Sequence, residues 1–483
     1  MAFPSRVKAA ALVLLMLATP VSQTFAADEA LLKVLLENGV ITQAQYDQLS
    51  TKDKLTSEDL LPSERTAAST PQTPDTPQIS EQTVAQMVDS KIRERLPLNV
   101  DHGSKGFKFE TLDGKFQTNL QWRAQMRYTS PLSSDPRQAS NFRRDDTPGF
   151  EPRRLRMKIG GHGFQPWLKY YFEVDLQPAR DVDDSSSSSS ARVIDWRVDI
   201  AKWDWGGIRL GQWKIDLNRE RVDSSGRQQF VERSIVNRVF TMDRQIGAQL
   251  RGRAFKGTPA DIQYWVGIFN GEGRSVKNNS DDHMVMGRVQ WNLFGRELAW
   301  RQTDVEYTEL PTASLAFAGF RNTGPCTRWS SSGCGNLDGF TRAAQAQSDQ
   351  FEIERYVQEF AFKYRGFSFQ QEWHRKFIDD RVLDRSDDLT GFYAQAGYFP
   401  HHIFQGFPAP LELAVRYGYV EEPNATDRDF LNEREEFTLG ANWFFSGHNN
   451  KITLDFSKLT LDDDLLSRDF SENRVRLQWD VSF

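Results

Sequence analysis

The stretch Asn473–Phe483, NRVRLQWDVSF, ends the chain and alternates apolar with polar residues. Its apolar positions are Val475, Leu477, Trp479 and Val481. Because successive side chains of a strand point to opposite faces, this stretch has one apolar face and one charged face. Such a strand fits the edge of a soluble antiparallel sandwich as well as the wall of a membrane barrel.

The same period of two recurs from about Lys115 to the end of the chain. It is seen in KFQTNLQWRAQMRY (115–128), WLKYYFEVDL (167–176), LELAVRYGY (411–419), EEFTLGANWFF (435–445) and KITLDF (451–456). Short turns such as GFQP alternate with long polar loops such as QPARDVDDSSSSSSA. Apolar faces on so many strands predict an all-β fold, a 16-stranded antiparallel transmembrane β-barrel of the outer-membrane type. The barrel must close, because an open sheet edge in lipid leaves backbone groups unpaired.

The N-terminal region has a different character. Arg6 and Lys8 precede the apolar run AAALVLLMLA, and small residues follow near Ala26, which predicts a cleaved signal peptide at 1–26. A run of about ten apolar residues is too short to span a bilayer. The following segments predict a helical hairpin at 27–62, a Pro/Thr-rich linker at 63–80, an amphipathic or coiled-coil helix at 81–97 and the barrel at 104–483. The helices would form a short periplasmic extension.

Composition and motifs exclude several classes of function. The net charge of -6 argues against nucleic-acid binding, and the mean hydropathy of -0.60 argues against a bundle of membrane helices. The sequence contains no Gly-x-Ser-x-Gly, His-Glu-x-x-His or Gly-rich phosphate loop, and its seven histidines are scattered. We therefore expect a conduit with no catalytic residues, no cofactor and no bound metal.

Two cysteines, Cys326 and Cys334, lie in GPCTRWSSSGCGN. In an exported protein a close pair in a Gly/Ser-rich stretch predicts a loop disulfide. Metal ligation is the alternative, but two thiolates without a neighbouring histidine fall short of a structural zinc site.

Basic residues cluster on the polar face of the first predicted strands. Arg154, Arg156 and Lys158 of PRRLRMK lie on this face, with Arg153 next to them in the same segment and Arg123 and Arg127 on the adjoining strand. Arginine offers a rigid fork of donors that suits phosphate and carboxylate groups, and a narrow basic lumen focuses a positive potential. The alternative is that these charges are paired and only fill the barrel wall.

Several segments, in this order, resemble the phosphate- and polyphosphate-selective porins of bacterial outer membranes. They are PRRLRMKIGG, LKYYFEVDL, IRLGQWK, SSGRQQFVERSIVN, VGIFNG, GFYAQAGYFP and LGANWFFSGHNNKITLDFS. The resemblance covers most of the chain from about Gly114. It implies a homotrimer of 16-stranded barrels in which the third loop, about Ile215 to Arg244, folds inward and narrows the pore.

The resemblance also implies a set of anion-binding residues. Arg153 and Arg154 match the family's tandem arginines, Arg123 its first-strand arginine, Asp195 its aspartate, and Ser224 and Ser225 its third-loop serines. Arg221 takes the place of a family lysine, and the polar face adds Arg127 and Arg156. The chain departs from the family in IDDRVLDRSDD, where Arg381, Arg385 and five aspartates replace lysines. We therefore expect anion preference rather than tight phosphate specificity.

Together these features predict passive diffusion of inorganic phosphate or similar small anions across the lipid bilayer of the bacterial outer membrane. A general diffusion pore without selectivity is one alternative. The other is an envelope scaffold whose N-terminal helices bind peptidoglycan or a periplasmic partner.

Overall fold

The computed structural model describes residues 36, 42–44, 46–47, 98–131, 142, 148–176, 191–278, 281–331 and 333–483. The chain divides into two units, Met1–Pro97 and Leu98–Phe483. The predicted signal peptide, the linker and the helix at 81–97 lie outside the described residues. Of the hairpin at 27–62, residues 36, 43–44 and 46–47 are helical. The described helices are all too short or too polar to cross a membrane.

The second unit is built from antiparallel strands. In chain order they are β1 Leu98–Gly103, β2 Gly106–Thr111, β3 Gln117–Ser130, β4 Gly149–Gly163, β5 Gln165–Asp175, β6 Arg192–Trp203, β7 Gly206–Lys214, β8 Arg244–Ala254, β9 Ile262–Phe269, β10 Met284–Leu293, β11 Thr312–Gly324, β12 Arg328–Ser330, β13 Gly333–Gly335, β14 Phe351–Tyr364, β15 Phe367–Asp380, β16 Arg385–Tyr398, β17 Leu411–Pro423, β18 Leu431–Ser446, β19 Asn450–Asp463 and β20 Arg468–Ser482. Two short α-helices, α1 Arg219–Val222 and α2 Val236–Phe240, lie between β7 and β8, and a 3₁₀ turn spans Pro400–His402.

Strands β3 to β11 and β14 to β20 form a closed barrel. Each pairs with the next, and β20 returns to pair with β3, where Leu477 lies opposite Tyr128. Closure leaves no free edge, so the backbone groups of the wall are paired within it. The predicted fold class, a 16-stranded antiparallel barrel, is confirmed. The β1–β2 hairpin extends the sheet beside the start of β3, with Phe107 opposite Leu120, and β12 and β13 form a separate hairpin.

The alternation of side chains separates an apolar exterior from a charged interior. Phe172 and Trp479 are 44% and 48% exposed on the outer face, whereas Arg123 is 2% exposed on the inner face. This is the arrangement that a wall between lipid and a polar lumen requires. We call the end where β3 begins and β20 ends the turn end, and the opposite end the loop end.

The third loop, residues 215–243, folds into the barrel interior, as the resemblance implies. Several of its apolar side chains are at most 1% exposed, among them Ile215, Phe230, Val236 and Phe240. Phe240 stacks on His374 of β15 with ring centroids 5.3 Å apart. The loop therefore reaches the wall opposite the strands from which it starts.

Candidate anion-binding site in the barrel lumen

The third loop is held across the lumen by carboxylates of the far wall. The backbone N–H of Val231 donates to Asp455 and that of Ile235 donates to Glu436, each at 3.0 Å. A buried backbone amide needs an acceptor, and the strands β18 and β19 supply charged ones. These acids therefore serve to anchor the loop.

A cavity of about 670 Å³ lies between the third loop and the wall formed by β3 to β8, and it opens toward the turn end. Its charged lining consists of nine basic side chains and three carboxylates. These are Lys105, Arg123, Arg156, Lys158, Lys169, Arg197, Lys214, Arg227 and Arg244, with Glu173, Asp195 and Asp199. Such an excess of one sign in a concave, low-dielectric wall concentrates anions. A larger groove, near Val266 and Ile268, is on the apolar outer face and takes no part in this site.

Arg123 joins the wall to the third loop. Its Nε and Nη2 donate to the two carboxylate oxygens of Asp480 at 3.1 and 2.9 Å. Its Nη1 donates to the hydroxyl oxygens of Ser224 and Ser225 at 3.2 and 3.3 Å. Three residues of the predicted site thus meet at one edge of the cavity.

Gly226 makes this contact possible. A Cβ atom at this position would lie 2.3 Å from the guanidinium carbon of Arg123. The loop backbone packs directly on the arginine, and any side chain at residue 226 would displace it.

Lys158 and Arg227 face the same cavity and are partly exposed. Lys158 Nζ donates to Gln121 Oε1 at 3.3 Å. Within the described part of the chain neither side chain forms a salt bridge. Neither charge is held in an ion pair with a described residue, although the Glu173 carboxylate of the same lining acts on Lys158 from a distance.

The tandem arginines both face the interior because the strand contains a bulge. Gln125 pairs with Arg154 and Met126 pairs with Pro152, so that Arg153 is the extra residue of the bulge. A regular strand would direct two adjacent side chains to opposite faces, and a bulge re-aims one of them.

Arg127, Arg153 and Arg154 converge on one carboxylate, Glu232 of the third loop. The nitrogen-to-oxygen distances are 2.8, 2.9 and 3.3 Å respectively. Glu151 adds contacts to Arg127 at 3.3 Å and Arg153 at 3.8 Å. The cluster predicted from PRRLRMK therefore exists, but acids compensate much of its charge.

Two other predicted residues are also paired. Arg156 donates to Glu173 at 2.9 Å and lies 3.3 Å from Asp175. Asp195 accepts from Arg244 Nε at 2.8 Å and from its Nη2 at 3.2 Å. Both residues line the cavity, with Asp195 serving to position Arg244.

Arg221 donates to Asp243 and does not line the cavity. The structure thus separates it from Ser224 and Ser225, although it lies close to them in sequence. At the loop end Arg381 pairs with Glu352 at 2.6 Å, and Arg385 pairs with Asp429 at 2.6 Å. The arginines that replace family lysines are therefore matched by acids.

Sequence reasoning missed the contributions of Lys214 and Arg227. Lys214 Nζ donates to the carbonyl oxygens of Arg221 and Val222 at 3.0 Å each, which caps α1. Only the folded loop reveals this contact. Arg227 directly follows the Ser-Ser-Gly segment, and its position there was the available signal.

Replacing Glu232 with glutamine is expected to increase anion preference. The change removes the carboxylate shared by three arginines and adds one positive charge to the interior. A unit charge about 5 Å from an ion in water contributes roughly 0.8 kcal/mol, with opposite sign for anion and cation, so we expect at least a roughly fourfold rise in the anion-to-cation permeability ratio. The reversal potential in a salt gradient measures it. Glu309→Gln, at an exposed position, should leave the ratio unchanged, and an unchanged ratio in Glu232→Gln would refute the role assigned to Glu232.

Glu220 of the third loop should make the free energy of unfolding of the protein depend on pH. Burial, with a smaller effect of Glu372, raises the pKa of Glu220 from 4.5 to about 7. Its ionised form is thus disfavoured in the folded state, and the resulting destabilisation is absent below pH 4.5 and complete above pH 7. The free energy of unfolding of the wild type should fall relative to Glu220→Gln by about 3 kcal/mol between these values. Denaturant titrations at several pH values test this, and a constant difference would contradict it.

The fold and the site together define the class of protein to which this chain belongs. A closed 16-stranded barrel with an apolar exterior and a charged lumen narrowed by its third loop is an outer-membrane porin. The family described as "Phosphate-selective porin O and P" matches residues 127–306 and 330–483, and the chain belongs to this family. The predicted resemblance and the predicted location in the bacterial outer membrane are confirmed.

Solved structures of other barrels are similar. A loop L8 deletion mutant of OmpT, an outer membrane protein of Vibrio cholerae, has 9% identity and a TM-score of 0.48 over 76% of this chain and 99% of its own. The outer membrane channel DcaP of Acinetobacter baumannii has 11% identity and a TM-score of 0.48 over 76% and 97%. An anion-selective porin from Comamonas acidovorans has 11% identity and a TM-score of 0.46 over 76% and 99%. The comparison with curated protein sequences gave no match.

Proposed function

We propose that this porin gives passive, anion-preferring diffusion to phosphate-like oxyanions. The observation that carries the proposal is the cavity lining of nine basic side chains and three carboxylates. Within it Lys158 and Arg227 have no salt-bridge partner in the described residues. These two cations lie in the same lining as Ser224 and Ser225.

The roles of these groups follow from their chemistry. Lys158 is a compact charge with three donors, and Arg227 offers a planar fork that fits two oxygens of an oxyanion. The serine hydroxyls already accept from Arg123, so their hydrogens point away from it and can donate to an anion. Together the donors replace part of the hydration shell, and the open cavity allows release.

Other arginines of the lumen are paired with acids, which reduces the positive charge that could select anions. Glu232 compensates Arg127, Arg153 and Arg154, and acids match the arginines at the loop end. A general diffusion pore is therefore the second candidate. The two candidates differ in whether phosphate resides in the lumen long enough to interrupt other ions.

Phosphate block of the chloride current distinguishes them. We expect phosphate, added in increasing amounts to a planar bilayer that contains the porin, to reduce the current with a half-effect in the millimolar range or below. Lys158→Gln should raise the phosphate concentration needed. Lys458→Gln removes the same charge from an exposed, outward-facing position of β19 and should not. Absence of block in the wild type would favour the general pore.

Two further expectations stay predictions. The homotrimer rests on the family resemblance, and the contact of the N-terminal helices with peptidoglycan or a periplasmic partner rests on residues that are mostly outside the described ones.

A further inference from the structure

Glu272 is a buried carboxylate that has no hydrogen-bond or ion-pair partner among the described residues. It lies in the loop between β9 and β10, is 2% exposed, and its Oε1 has no hydrogen-bond partner. Across the described ranges of the chain, no cationic side chain forms a salt bridge with it. An isolated carboxylate is costly to bury in its charged form. Binding of a proton or a cation would therefore stabilise Glu272 in this position.

The groups next to Glu272 are the two cysteines. Cys326 and Cys334 form a disulfide with Cα atoms 5.8 Å apart, and they flank the hairpin of β12 and β13. One carboxylate oxygen of Glu272 and the two sulfur atoms all lie within 4.8 Å of one another. Two thiolates alone fall short of a metal site, and the structure supplies a third ligand from a separate loop.

The two loops are fixed against each other at this point. Trp329 Nε1, in β12, donates to the carbonyl oxygen of Gly271 at 2.9 Å. Gly273 has a φ of +94°, and a Cβ there would lie 3.3 Å from Cys334 Cβ. The close backbone approach keeps Glu272 beside the sulfurs independently of the disulfide.

We propose that Glu272, Cys326 and Cys334 form a redox-dependent site for a thiophilic divalent cation such as Zn²⁺. A dithiol reductant transfers two electrons and two protons to the disulfide and itself becomes a disulfide, which leaves two cysteine thiols. The cation displaces the thiol protons into water and binds both sulfurs and the carboxylate. Thiolates and carboxylates are established zinc ligands, and three of them leave the fourth tetrahedral position to water.

Cobalt titration of the full-length, folded protein in detergent tests the proposal. The protein is reduced with a dithiol, freed of reductant without oxygen, and titrated with Co²⁺. We expect a thiolate-to-cobalt charge-transfer absorption that saturates at one ion per chain and disappears when Zn²⁺ is added. The oxidised protein should show no such band. Absence of the band in the reduced protein would overturn the proposal.

A matched pair of variants assigns the third ligand. Glu272→Gln should lower the Co²⁺ affinity at least about tenfold. Asp349→Asn changes an exposed acid of the β11–β14 connection and should leave the affinity unchanged. Equal affinities in Glu272→Gln and the wild type would overturn the assignment. Folding is monitored by the gel mobility of the unheated barrel, and its loss on reduction would also overturn the proposal, because the site requires folded loops.

Discussion

Reversing the charge of Lys158 and Arg227 together, as Lys158→Glu and Arg227→Glu, is expected to abolish most of the anion preference. Each change shifts the charge of the cavity by two units at a cation that forms no salt bridge with the described residues. At roughly 0.8 kcal/mol per unit charge about 5 Å away in water, four units correspond to about 3 kcal/mol. Salt in the lumen reduces this, so we expect at least a tenfold fall in the anion-to-cation permeability ratio. The ratio is obtained from reversal potentials.

The control reverses a single charge on the other side of the wall. Lys458 is exposed on the outer face of β19, and Lys458→Glu should leave the permeability ratio close to that of the wild type. If the double variant retained the wild-type ratio while remaining folded, the cavity would not be the selective part of the pore.

Arg123→Ala is expected to destabilise the barrel strongly. Arg123 and Asp480 are 2% and 1% exposed, and removing one partner of such a pair leaves an uncompensated buried charge. Disruption of buried pairs typically costs about 3 to 5 kcal/mol. The third loop also loses the contact of Ser224 and Ser225 with Arg123, so we expect larger fluctuations of the single-channel current. Denaturant unfolding and bilayer recording measure the two effects.

The double variant Arg123→Ala with Asp480→Ala separates the pair from the loop contact. It should recover part of the unfolding free energy because neither charge is left unpaired, while the current fluctuations should persist. Equal stability of Arg123→Ala and the wild type would show that the bidentate contact between Arg123 and Asp480 does not stabilise the wall.

The fold was predictable because one physical rule repeats along the chain. Each strand that separates lipid from a polar lumen must alternate, and the segments containing Phe172 and Trp479 carry that pattern without help from distant residues. The entry of the third loop is different, since it depends on carboxylates such as Asp455 and Glu436 that lie more than two hundred residues away in sequence.

The site was predictable in its residue types but not in its charge balance. Alternation assigns Arg123 to the lumen, but it gives adjacent Arg153 and Arg154 opposite faces, and a bulge brings both inside. Nor does the sequence show that Glu232 is shared among arginines. Arg221 illustrates the same limit, since its pairing with Asp243 depends on how the loop turns.

The central claim is that the lumen selects by an excess of positive charge on one wall. The most direct test is the reversal potential of the wild-type porin in a planar bilayer with a potassium chloride gradient, in which the two ions have nearly equal mobility. If chloride is the more permeant ion, as we expect, the reversal potential has the same sign as the equilibrium potential of chloride. A potential set by potassium would contradict it.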